Sequence, residues 1–200
     1  MMNDKKTNID GLSSETVSKI AEHYKAILSL IGENPERDGL IKTPMRAAKA
    51  LAYLTSGYRK DAAKIAKSAV FEYAGSKMVI VKGIEFYSLC EHHILPFFGK
   101  ISIGYIPDGE MIGLSKLARI VEVYARRLQV QERLTKDICD LLSQQLSTKG
   151  VIVCCDASHM CMRMRGVEKE NSETETIEYS GLFEDFSYRQ EFFSLLSHSR

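Results

Sequence analysis

The stretch MVIVKGIEFYSLCEHHILPFFGKISIGYIP, residues 78–107, decides how this chain folds. Its flanks, Met78–Leu89 and Lys100–Pro107, are rich in Val, Ile, Phe and Tyr and are broken by Gly83 and Gly104. Residues of that kind with glycine punctuation read as two strands. The link from Cys90 to Gly99 is long for a hairpin, and it opens with a thiol and two imidazoles, Cys90-Glu91-His92-His93. The first expectation is therefore a sheet with chemistry where a strand pair turns.

Downstream, Leu114, Leu117, Ile120, Val121, Tyr124 and Leu128 recur at helical spacing. Leu134, Ile138, Leu141, Leu142 and Leu146 do the same before Gly150. Both segments read as amphipathic helices. Val151–Met164 and Glu173–Phe183 read as two further strands. The order is β-β-α-α-β-β, which predicts an α+β domain: a four-stranded antiparallel sheet packed on two helices. Upstream the period is helical. Val17, Ile20, Tyr24, Ile27, Leu28 and Ile31 lead to a stop at Gly32, and Thr43-Pro44 supplies an N-cap and first helical position. A third short helix is expected around Asp61–Ala69. The organisation expected is a mobile polar tail (1–12), an N-terminal helical region (13–75) and a sheet domain (76–200).

Composition limits the function. Twenty-seven Lys+Arg against 26 Asp+Glu leave a net charge of +1, without the basic excess of a dedicated nucleic-acid binder. No apolar run approaches the roughly 20 residues that cross a bilayer, and the polar start Met1–Asn8 lacks the apolar core of a secretory signal. The five cysteines, Cys90, Cys139, Cys154, Cys155 and Cys161, are an odd number, which does not fit a disulfide framework. A reducing, cytoplasmic location is expected, with some thiols in the core and some as ligands.

Cys90-Glu91-His92-His93 and His159-Met160-Cys161 hold three of the five histidines and two of the five cysteines. Cys and His are zinc's preferred ligands. One combination is Cys90, His93 and Cys161, which leaves a fourth position for water, as in catalytic zinc sites, and leaves His92 and His159 free for proton transfer. A structural site with His92 or His159 as fourth ligand, or no metal at all, fits the spacing too. His159 and Cys161 are expected to share one face of a strand, with Arg163 and Arg165 following on that face.

Ser115, Lys116 and Arg119 sit at the start of a helix after Gly113, where free N–H groups and cations suit a phosphate; taken alone, the helix favours a solvated basic turn. Arg46 and Lys49 lie at helical spacing after Thr43-Pro44 and alone would be surface charges. Gln131-Glu132 opens the second helix of the pair. Glu132 there is either a dipole partner or, if buried, an acceptor for the N–H groups of a guanine edge.

Four stretches resemble the GTP cyclohydrolase I family: Phe86–Gly99, Ile112–Arg119, Gln129–Thr135 and Ala157–Val167. The resemblance runs from about Gly32 to the C-terminus, in order and with the family's spacing. It implies the tunnelling fold, with a β-β-α-α-β-β unit after N-terminal helices. It also implies a decamer of two pentameric rings with active sites at subunit interfaces, and one zinc ion per subunit. Carried over by position, Cys90, His93 and Cys161 are the zinc ligands, and His92 and His159 the proton-transfer pair. Glu132, with Gln131, recognises guanine; Ser115, Lys116, Arg119, Arg165, Arg46 and Lys49 hold the ribose and triphosphate. The implied reaction converts GTP and water to 7,8-dihydroneopterin triphosphate and formate, the first step of pterin and folate biosynthesis. Other readings fit less well. A pterin synthase of similar architecture typically binds zinc through three histidines. A zinc nucleobase deaminase needs a Cys-x-x-Cys that this chain lacks. A non-enzymatic zinc module needs no triphosphate site.

Overall fold

The computed structural model describes residues 8–197. The chain divides into two compact units on either side of the Arg59–Lys60 bond. The first unit opens with β1 (Asn8–Ile9) and β2 (Leu12–Ser13), a minute antiparallel hairpin, so part of the expected mobile tail is structured; residues 1–7 of that tail lie outside the described residues.

Helix α1 (Ser14–Leu30) starts because the Ser13 hydroxyl accepts the Thr16 N–H at 3.1 Å. It stops at Gly32, whose φ of 89° lets Gly32 N and Glu33 N fold back onto the carbonyls of Ser29 and Leu28. Helix α2 (Thr43–Leu54) begins one residue earlier than expected. Lys42 is its N-cap, and the Thr43 hydroxyl instead donates to the Gly39 carbonyl. Val17 and Ala21 of α1 pack with Ala48 and Ala52 of α2, and a 3-10 turn, Ser56–Arg59, ends the unit.

The second unit begins with α3 (Ala62–Lys67), capped by the Asp61 carboxylate on Lys64 N. Its buried Ala62 and Ala66 belong to the core of the sheet unit, so the helical unit closes at residue 59 rather than 75. Then come β3 (Val70–Glu72), β4 (Val79–Cys90), β5 (Pro96–Pro107), β6 (Glu110–Ile112), α4 (Leu114–Ala125), β7 (Leu128–Gln129) and α5 (Gln131–Gln145). The chain continues through β8 (Thr148–His159), α6 (Met160–Arg163), β9 (Thr174–Gly181), a 3-10 turn Leu182–Glu184 and α7 (Phe186–Ser197).

The main sheet has the order β7-β4-β5-β8-β9, antiparallel except that the two residues of β7 run parallel to Leu89 and Cys90 of β4. The four expected strands are all present and a fifth is added. The link is also shorter than expected: β4 and β5 run on to Cys90 and Pro96, leaving residues 91–95 as the turn.

Alternation along the strands builds two cores. Val151, Val153, Cys155 and Ala157 of β8 face α4 and α5, with Leu117, Ile120, Leu134, Ile138 and Leu142 fully buried against them. Ile152 and Cys154 face the other way, where Ile106, Phe183 and Phe192 form a smaller core that includes α7, a helix beyond the last expected strand. Fully burying one side chain such as Phe192 stabilises the fold by about 1.5–3 kcal/mol. No helix among the described residues is long and apolar enough to cross a membrane.

Candidate active site

Beyond Cys90 the sheet has no ladder to offer, and residues 91–95 close a compact turn. Leu95 O accepts Cys90 N at 2.8 Å, and Cys90 O accepts Ile94 N at 2.8 Å. Closing it forces Ile94, a β-branched residue, to φ 55°, a costly left-handed conformation. Glu91 N donates to Gln129 O at 3.0 Å, tying the turn to β7.

The turn places His92 Nδ1 and His93 Nδ1 at 3.8 and 3.9 Å from Cys90 Sγ. At the neighbouring strand end, β8 stops at His159 and the chain coils into α6, which carries Cys161. The expected strand through Met164 is thus corrected: Cys161 and Arg163 sit on a helical turn, not on one face of a strand with Arg165. Cys90, His93 and Cys161 nevertheless converge, with ligand atoms all within 4.8 Å of one another. His92 and His159 are not part of that group.

The donor set fits a soft or borderline divalent ion. Burial and the neighbouring Cys90 push the Cys161 thiol up, because two thiolates so close repel unless a cation lies between them. Two thiolates and an imidazole are zinc's preferred donors, and three ligands leave a coordination position open.

Around this group stand the other candidates. The His159 ring lies flat against Phe97, with centroids 4.8 Å apart and planes within 2°. Its Nε2 is 2.7 Å from Gln131 Oε1. Burial lowers the His159 pKa, partly offset by the Glu132 carboxylate. Glu132 is exposed at the start of α5, not buried. Gln131 is the buried one, and it donates both amide hydrogens to Cys155 O and Thr174 O at 3.0 and 2.8 Å. The amide N–H groups of Gln131 are thus engaged inside the chain. Arg165 is exposed and close enough to Cys161 to favour its thiolate.

Ser115, Lys116 and Arg119 are not brought here. Their helix α4 starts beside Tyr105, whose hydroxyl bonds the Ile112 backbone, and Tyr105 is nine residues along β5 from Pro96, about 30 Å of strand. The C-terminus of α4 is the end near the cluster, where Arg126 donates to Tyr87 O at 3.2 Å. Ser115 and Arg119 are exposed and Lys116 is half-buried. Arg46 and Lys49 are exposed on α2, in the other compact unit.

Two contributors escape sequence reasoning. Arg133 makes a two-pronged pair with Glu91, at 2.6 and 3.0 Å, which holds the Glu91 carboxyl below its usual range. Phe97, fully buried, supplies the platform under His159. Neither spacing nor residue type marks them, since each partner lies tens of residues away.

The fold and site define an α+β chain with a Cys-His-Cys group able to hold a metal. A family profile, GTP cyclohydrolase I, matches residues 20–197. The chain is 53% identical over 186 residues to GTP cyclohydrolase 1 of Porphyromonas gingivalis, covering 93% of this chain and 96% of that one. It is 54% identical over 186 residues to GTP cyclohydrolase 1 of Chlorobium phaeovibrioides (92% and 83%) and 51% identical over 183 residues to that of Campylobacter jejuni (91% and 96%). Among solved structures, the apo archaeosine synthase QueF-Like overlaps 55% of this chain and 97% of that one, with 21% identity and a TM-score of 0.44. The chain belongs to the GTP cyclohydrolase I family, a family of enzymes.

Proposed function

We propose that this chain converts GTP and water to 7,8-dihydroneopterin triphosphate and formate, as a zinc enzyme of the cytoplasm built on the tunnelling fold. The observation that carries the reading is the meeting of Cys90, His93 and Cys161 beside His159 and Glu132 at one end of the sheet. Cys90, His93 and Cys161 would hold the zinc, which would supply Lewis acidity to activate water at neutral pH.

The chain's own residues do the rest. Glu132, exposed at the start of α5, accepts N–H groups from the guanine edge. His159, half-buried on Phe97, and His92, exposed on the turn, move protons as the imidazole ring of guanine opens and the formamide is hydrolysed. The later rearrangement of the ribose and closure of the pterin ring need proton relays, and two histidines outside the ligand set provide them. Arg165 contributes charge from the site end.

Ser115, Lys116 and Arg119 anchor the triphosphate, with Arg46 and Lys49 from the helical unit. Remote anchoring holds the substrate while its reacting end is rebuilt. In one chain the start of α4 lies at the far end of the sheet from Cys90, which supports an active site shared between copies. A decamer of two pentameric rings meets that need. The sheet unit, from Lys60 onward, carries the chemistry, and the helical unit that ends at Arg59 carries the added cations.

A GTP assay with and without chelator tests the reading. Zinc-loaded protein releases formate and a product that becomes a fluorescent pterin on oxidation, and chelation stops both. Zinc-loaded protein that releases no formate from GTP refutes it.

A further inference from the structure

Gln131 is the first residue of α5 and 1% exposed. Its Nε2 lies 3.0 Å from Cys155 O and 2.8 Å from Thr174 O. Carbonyl oxygens only accept, so both amide hydrogens point to them, and exchanging the amide N and O would set one oxygen against two others. The atom left facing His159 is therefore the amide oxygen, 2.7 Å from His159 Nε2. An amide oxygen also only accepts, so that ring nitrogen carries a hydrogen. A neutral imidazole has a single N–H, which leaves the lone pair on Nδ1. The ring is held in plane by Phe97, stacked at 4.8 Å within 2° and itself fully buried.

We propose that Gln131 is a positioning residue that holds His159 as the Nε2–H tautomer, so that Nδ1 is the atom exchanging a proton with the bound nucleotide. The exchange rests on the functional reading above; the tautomer does not. The carbonyls that orient the Gln131 amide come from β8 and β9, so the sheet backbone sets the protonation pattern of the site. Gln131 itself need not touch the substrate.

Solid-state NMR of the full-length, zinc-loaded protein labelled with 15N-histidine reads the tautomer directly at pH 8 without substrate. His159→Gln identifies the signal among the five histidines. The expected result is a protonated Nε2 and an unprotonated Nδ1 in the wild type. In Gln131→Met the two tautomers mix and kcat for GTP falls about 10- to 100-fold, the scale of losing a partner that orients a working histidine, while KM stays within about threefold. A wild type dominated by Nδ1–H overturns the proposal even if no Gln131 variant folds. Gln131→Met with unchanged tautomer or unchanged kcat overturns it as well. A wild type with the expected tautomer but no formate release overturns the functional reading and the exchange with nucleotide, and leaves the tautomer standing.

Discussion

The end and the middle of one sheet treat the same side chain in opposite ways. In the middle of β8, Cys155 is fully buried against α5, and burial pushes its thiol up to about 12. Cys154, one residue earlier on the other face, and Cys139 on α5 are each raised to about 11, again by burial. There the backbone ladder is complete and a thiol is a small apolar group. At the sheet end, Cys90 closes β4 and Cys161 follows β8, and the chain turns where the ladder stops. Turning is what lets two thiols and an imidazole from separate strands point at one spot. The same side chain is a core thiol where the ladder continues and joins a group able to hold a metal where it stops.

The contrast can be broken most forcefully at Cys90. Cys90→Ser should abolish both zinc retention, read by elemental analysis, and formate release; full zinc retention would dissolve the distinction between the two cysteine sets. Next in size, His92→Ala should keep the metal while turnover falls by about 10²–10⁴-fold, the range for losing a general acid or base. Equal zinc loss in the two variants would reverse their roles. Arg133→Met removes the pair that ties Glu91 to α5 and should weaken zinc affinity by about tenfold, measured by competition with a chelator. An unchanged affinity would mean the turn holds its shape without that pair.

Thiol labelling sharpens the comparison at lower amplitude. A raised pKa keeps a thiol protonated below it, so at pH 8 Cys139, Cys154 and Cys155 stay neutral and unreactive. Iodoacetamide after chelation should label the half-buried Cys161 before the fully buried Cys155, and mass spectrometry that found Cys155 first would contradict the contrast. Smallest of all, Cys154→Ala should leave turnover unchanged and cost about 1 kcal/mol in a denaturant melt.

Periodicity made much of this legible. Helices α4 and α5 and the four long strands follow from apolar spacing, since each layer buries one face against the other. The short elements did not follow. β7 is two residues long, and β3 and β6 are three each, too brief for any pattern to show. α7 was missed because its aromatic residues, Phe186, Phe192 and Phe193, do not form a clean stripe. α6 was read as strand because Met160–Met164 continues the apolar character of β8; only the structure shows the chain coiling after His159.

What the sequence by itself determined is the inventory: the β-β-α-α-β-β order, the absence of a basic excess, and the thiols and imidazoles that could hold a metal. Those depend on residue type and local spacing, which a chain carries with it. Tertiary structure alone decided which donors meet, since Cys90 and Cys161 are 71 residues apart and converge only because β4, β5 and β8 end side by side. It also decided that Gln131 is buried and Glu132 exposed, a choice their spacing left open. Successive residues on a helix point in different directions, and only the packing of α5 against β8 and β9 determines which of them faces protein and which faces solvent.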